Sequence, residues 1–248
     1  GQIMGERARR QIRSFLSLTP DEFAASPASR LAAPVAIDVV DLFAAHKANP
    51  IVSMYAAGIA VMFLLFGAVG NSGTLLEEEE NQTLERLMCS VLSMIQLLAG
   101  KWLLMTIVGI VQVTIMFAWA QVASGVDLLG HLSGFAVMTA VTAGAASSFA
   151  HTLAALCTNR TQLNAVAVIL ILSMSALGGS MVPRYVMSET MQQLGKITFN
   201  AWALDGYIKV FWRDLPLGEL APEITVLTAT AIVLFGTARL LARRWESS

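Results

Sequence analysis

Two groups of residues in this 248-residue chain have side chains suited to chemistry. Ser147 and His151 are four positions apart, so a helix places both on one face. A hydroxyl beside an imidazole is the start of a nucleophilic site. The acidic run Glu77-Glu78-Glu79-Glu80, followed by Glu85 and Arg86, gathers charge in a chain with only 13% charged residues. The Ser–His pair lacks a third group to orient the imidazole, and no G-x-S-x-G or H-E-x-x-H pattern occurs. A neutral histidine hydrogen-bonded to a neighbouring helix is the other reading of His151. Cys89 and Cys157 stand in no ligand-like spacing, so neither a metal site nor a disulfide is expected, and both read as small apolar residues. No G-x-x-x-x-G-K-[ST] loop is present, because Gly100-Lys101 runs into Trp102 and lacks the upstream glycine. Any ATP hydrolysis is therefore expected on a separate polypeptide.

The elements that must hold these residues are set by composition. Hydrophobic residues make up 56% of the chain, and mean hydropathy is +0.65. Soluble domains carry about a quarter charged residues, roughly twice what is found here. A net charge of −1 leaves no basic excess for nucleic acid. Crossing about 30 Å of hydrocarbon takes roughly 20 apolar helical residues. Five stretches qualify, at about 51–73, 102–124, 132–156, 163–182 and 220–241. They lack the alternation of barrel strands. The sequence predicts an all-α, polytopic membrane protein with five transmembrane helices. Glu223 and Arg239 bracket the last span closely and are expected to snorkel from its ends.

Arg239, Arg243 and Arg244 beside Trp245 put the C-terminus on the cytoplasmic side by the positive-inside rule. Five crossings then put residues 1–49 outside. This polar segment, with Pro20, Pro27 and Pro34, reads as the C-terminal part of an extracytoplasmic domain, and residues 50–248 read as the membrane domain. An external segment without its own signal implies a further span upstream of Gly1.

Leu84, Leu87, Met88, Val91, Leu92, Ile95 and Leu98 recur at three- and four-residue spacing, which draws one apolar stripe. The expectation is a cytoplasmic interfacial helix, with Glu77–Glu80 at its N-terminus where the helix dipole favours anions. The plain alternative is a solvated acidic turn. Between Arg184 and Pro216, Met187, Met191, Leu194 and Ile197, then Leu204, Ile208 and Phe211, suggest amphipathic helices dipping into the outer leaflet. Trp202, Tyr207 and Trp212 fit an interfacial belt. Gly130-x-x-x-Gly134 and Ala140-x-x-x-Gly144-x-x-x-Ser148 predict close helix packing, within the subunit or at a dimer seam.

Several motifs occur together and in order. Glu78-x-Glu80-x-Gln82-Thr83-Leu84-Glu85 is followed by Gly100-Lys101. Asn49-Pro50 precedes the first span, Gly178-Gly179 with Pro183 close the fourth, and the stretch from Asn200 through Trp202 to Tyr207 follows. Over residues 49 to 245 the chain resembles ABC-2 type transporter permeases, the membrane subunits of ATP-driven exporters, lacking their first helix and part of their external domain. Gln82 stands where that family usually has Gly, Val91 about where it has Pro, and Asn200 where it often has Pro. The resemblance implies an exporter permease of the cell inner membrane that pairs with a second permease subunit, identical or different. It also implies a separate ATPase subunit holding ATP and Mg, with no cofactor in this chain. Glu78, Glu80, Thr83, Leu84, Glu85, Arg86 and Arg160 are then expected at the ATPase contact. Gly178, Gly179, Pro183, Asn200 and Trp202 are expected in an outer gate of re-entrant helices. A channel or a transporter not driven by ATP is the alternative, and an intramembrane hydrolase the less favoured one. The lack of carboxylates within the spans argues against ion or proton coupling.

Overall fold

In a lipid environment a backbone must satisfy its own hydrogen bonds, so long apolar runs close into helices. A computed structural model describes residues 50–82, 93–182 and 186–242. The segment 1–49, Thr83, Leu84, Glu85, Arg86, Leu87, Met88, Val91, Leu92, Pro183, Arg243, Arg244 and Trp245 lie outside the described residues. The described helices are α1 (Pro50–Glu80), α2 (Met94–Ser124), α3 (Leu132–Leu156), α4 (Arg160–Gly178), α5 (Glu189–Gly195), α6 (Phe199–Phe211) and α7 (Ala221–Leu241), with a 3-10 turn at Leu217–Leu220 leading into α7. Five are long and apolar enough to cross a membrane: Tyr55–Glu80, Met94–Ala123, Leu132–Leu156, Arg160–Gly178 and Leu217–Leu241.

α3 lies at the centre and packs on α1, α2, α6 and most extensively α7. α1 adds α4 to the other flank. The small residues of α3 make this possible, since Ala143, Ala145, Ala146 and Ala150 are fully buried and let neighbouring backbones approach. α4 stops at Gly178 because Gly179 takes a left-handed conformation (φ 96°), which glycine adopts without a Cβ clash. The predicted fourth span thus ends four residues early.

Two expectations are corrected at the other connection. α1 does not end near residue 73 but continues to Glu80, and α2 begins at Met94 rather than at 102. Each helix has 31 residues, or roughly 46 Å at 1.5 Å per residue. That exceeds the hydrocarbon by more than a tilt of up to about 40° absorbs, so both project beyond it at one end. The acidic run therefore forms the last turn of α1, where the dipole disfavours anions, and not the start of a separate helix. The apolar stripe from Leu84 to Leu98 is also broken. Ser93 is extended (φ −80°, ψ 153°) and caps α2 through a reciprocal capping box with Gln96, as Ser and Gln three apart do. Ile95 and Leu98 belong to the projecting start of α2, and Met94 and Leu98 are buried there with Leu75 and Leu76 of α1.

Candidate coupling site

The projecting ends of α1 and α2 meet the start of α4. Glu78 Oε1 accepts from Lys101 Nζ at 2.6 Å, and Glu77 pairs with the Arg160 guanidinium. Gly73, one turn before Glu77, leaves room for the Arg160 side chain, whose Nε would sit 3.3 Å from a Cβ there. Asn159 caps α4 by accepting from Gln162 N at 2.8 Å, which positions Arg160 as its first residue. Each charge is disfavoured by its own helix end: Glu77 sits at a C-terminus and Arg160 at an N-terminus. Their pairing puts each near the opposite pole of the neighbouring helix. Glu80 is exposed at the tip. Two residues beyond the end of α1, Gln82 adopts φ 54°, the left-handed conformation for which Gly is the ordinary choice.

Of the expected contact residues, Glu78, Glu80 and Arg160 are thus at one end of the bundle. Glu77 and Lys101 complete the cluster; both stand in motifs the sequence singled out, but neither was expected at the contact. Their partners are 83 and 23 residues away in the chain, beyond any local pattern. The signal was indirect: the acidic run and the G-K pair flank the same connection.

At the opposite end Gly178, Gly179 and Asn200 come together. Asn200 is fully buried, and its Nδ2 donates toward Met174 O, Ser175 Oγ and Ser180 Oγ at 3.3, 3.4 and 3.1 Å. Gly178 admits this side chain, since a Cβ there would lie 3.2 Å from Asn200 Cβ. Trp202 is half-buried and donates to Lys196 O at 2.8 Å, on the same helix but apart from the glycine pair. α5 and α6 are too short to span. Tyr207 corrects the interfacial-belt expectation. It is 1% exposed, stacks on Phe117 at 5.2 Å and shares a hydrogen bond with Thr139 at 3.0 Å. Glu223 does not snorkel either: it is 5% exposed and held by Lys209 at 2.9 Å. It is the one buried carboxylate among the described residues.

The small-residue expectations divide. Gly134 packs against Val210 of α6 and Gly144 against Trp102 of α2. Trp102 Nε1 donates to Ser148 Oγ at 2.9 Å and to Gly144 O at 3.1 Å. Ala140 lines an open groove with Gly144 and Ser148. Gly130 is not on α3; it lies in the preceding turn, where its N–H donates to Asp127 Oδ1 at 2.9 Å. The Ser147–His151 pair does not assemble. His151 Nδ1 contacts the Ser147 backbone carbonyl at 2.8 Å, and Ser147 Oγ accepts from Thr106 Oγ1 at 3.2 Å. A ring nitrogen facing a carbonyl must donate, so this contact does not activate the hydroxyl.

These features define a polytopic helical membrane protein in which polar side chains hold helices together and charge collects at the ends. The chain belongs to the ABC-2 transporter family: the model described as "ABC-2 family transporter protein" matches residues 8–240. It is accordingly a membrane permease of ABC transporters, a transport component. No curated protein sequence matches the chain.

Proposed function

We propose that this chain is the permease subunit of an ATP-driven exporter and that the Glu77–Glu80 end is where a separate ATPase subunit docks. That subunit would hold ATP and Mg²⁺; this chain supplies the pathway and the contact that moves it. One observation carries the reading: two 31-residue helices extend past the bilayer side by side. Their tip leaves Glu80 exposed and is tied to the start of α4 by the half-exposed Glu77–Arg160 ion pair. The positive-inside rule, applied to Arg239, Arg243 and Arg244, supports reading this end as the cytoplasmic one. The C-terminus then follows on the same side. A second permease subunit completes the pathway, and α5, α6, Gly178, Gly179 and Asn200 form its outer closure. ATP-driven approach of the ATPase subunits shifts the tip only if its contacts differ between the two states.

The test is Glu80→Lys, alone and combined with Glu79→Lys, in membranes co-expressing the ATPase subunit. Loss of co-purification and of ATP-stimulated transport, with the permease still folded, is the expected result. Unchanged co-purification and transport refute the assignment. A Glu80→Cys variant in a Cys89→Ser background should react with an impermeant thiol reagent only in inside-out vesicles, and reaction in intact cells reverses the sidedness.

A further inference from the structure

His131 ends the connection between α2 and α3. Its carbonyl accepts from Phe135 N at 2.9 Å, which fixes it at the start of the central helix. Nδ1 lies 2.9 Å from the Asp127 carbonyl oxygen, and Nε2 lies 2.6 Å from Asp214 Oδ1, beyond the end of α6. A carbonyl and a carboxylate oxygen only accept, so both ring nitrogens must donate. A neutral imidazole carries one N–H and the charged ring carries two. Asp214 does not supply the second proton, because its side chain is 54% exposed and a carboxyl group in water is ionised above about pH 5. The arrangement calls for an imidazolium.

The charged groups of the adjoining elements are few. Asp127 Oδ2 is 4.0 Å from Nδ1, and its Oδ1 accepts from Gly130 N at 2.9 Å. From α6 and the start of α7, Lys209 is held by Glu223 at 2.9 Å, and Arg213 and Glu219 are exposed. α2 has no charged side chain except Lys101 near its far end, and α3 has none. The remaining wall is the Phe211 ring, which meets the imidazole edge-on at 5.9 Å.

Histidine exchanges its second proton between about pH 5 and pH 8. With one N–H left, the ring keeps one of its two contacts, and in either case the attraction of opposite charges across to Asp214 is gone. What that attraction holds is a strained turn. Asp214 takes φ 51°, and around it Arg213 N donates to Ile208 O at 3.2 Å and Leu215 N to Lys209 O at 3.1 Å, closing the end of α6. The aromatic rings beneath carry no charge and stay packed at either pH.

We propose that His131 and Asp214 form an acid-closed latch, which ties the turn after α6 to the start of α3 when the ring is charged and slackens as pH rises. That the latch faces the extracytoplasmic medium and acts on the outer closure rests on the sidedness proposed above. The charge and the tie do not, and in detergent micelles, where both faces meet one buffer, the experiment reads these alone.

The test has two readouts on the full chain. Nitrogen-15 NMR of histidine-labelled protein, with His131 assigned by the signals lost in His131→Gln, should show both ring nitrogens protonated at about pH 5.5 and one at about pH 8. Hydrogen exchange, corrected for the intrinsic effect of pH, should show the Arg213 and Leu215 amides losing up to about fivefold in protection over the same range, the most that an exposed ion pair confers. Amides inside α6 should keep theirs. His131→Gln and Asp214→Asn, whose side chains do not titrate, should each make the profile flat. A ring that is neutral at the acid end or still charged at the alkaline end overturns the latch. So does a flat profile in the unaltered chain, a profile that survives either substitution, or an equal change inside α6, which marks general loosening.

Discussion

The two ends of the bundle are held by different forces. Where α1, α2 and α4 meet, a small apolar contact of Leu75, Leu76, Met94 and Leu98 is joined by ion pairs, and Glu77 and Arg160 are 43% and 42% exposed. At the other end Phe117, Phe135, Tyr207 and Phe211 pack with ring centroids 4.9 to 6.4 Å apart, and Asn200 and Glu223 are buried with partners. Solvated ion pairs are worth about 0.2–1 kcal/mol each. Removing a buried aromatic ring costs about 3–5 kcal/mol. The aromatic end resists opening, while the ionic end can change partners at little cost. The docking proposed for the ionic end requires that asymmetry: the docked end would exchange contacts, and the far end would stay assembled meanwhile.

The largest expected effect breaks the firm end. Phe117→Ala should lower unfolding free energy by about 3–5 kcal/mol, measured by denaturant unfolding in detergent, with Phe117→Leu losing less. A loss under about 1 kcal/mol would mean the ring cluster is not what closes that end. The next sharpens the loose end by stabilising it. Gln82→Gly should gain about 1 kcal/mol by removing the left-handed strain of a side chain, whereas Gln82→Ala should gain nothing. The smallest is a double-mutant cycle on Glu78→Gln and Lys101→Met. The pair should contribute at most about 1 kcal/mol, falling as salt is raised. A salt-independent interaction would make this end as rigid as the other.

The spans were legible because a charge in hydrocarbon costs about 2.5–3.5 kcal/mol on insertion scales, so charge-free runs mark themselves. Their lengths were not. Charge ends a run in the sequence, but the helix continues through Glu77–Glu80 because water outside the bilayer tolerates the acids and Arg160 and Lys101 pair with two of them. The stripe from Leu84 to Leu98 pointed to one helix, and the capping chemistry of Ser93 and Gln96 overrode it. Tyr207 was assigned to an interface by its type, yet its environment comes from Phe117, 90 residues earlier in the chain, and Thr139. The glycine pair and Asn200 were found through two successive motifs of the same resemblance. The Gln82 departure was also informative: the turn expected of Gly is made, against the preference of the side chain that makes it.

α1 links the two ends directly. Gly58 lies against the backbone of Ser180, whose carbonyl oxygen would be 2.7 Å from any Cβ at 58, just past the left-handed turn that stops α4. Glu78 is 20 residues further along, roughly 30 Å at the helical rise. A stiff rod pivoting in the membrane works like an oar: when its blade is swept one way, its handle swings the other. Displacing Glu78 therefore presses Gly58 into, or draws it off, a neighbour with no slack to absorb the stroke.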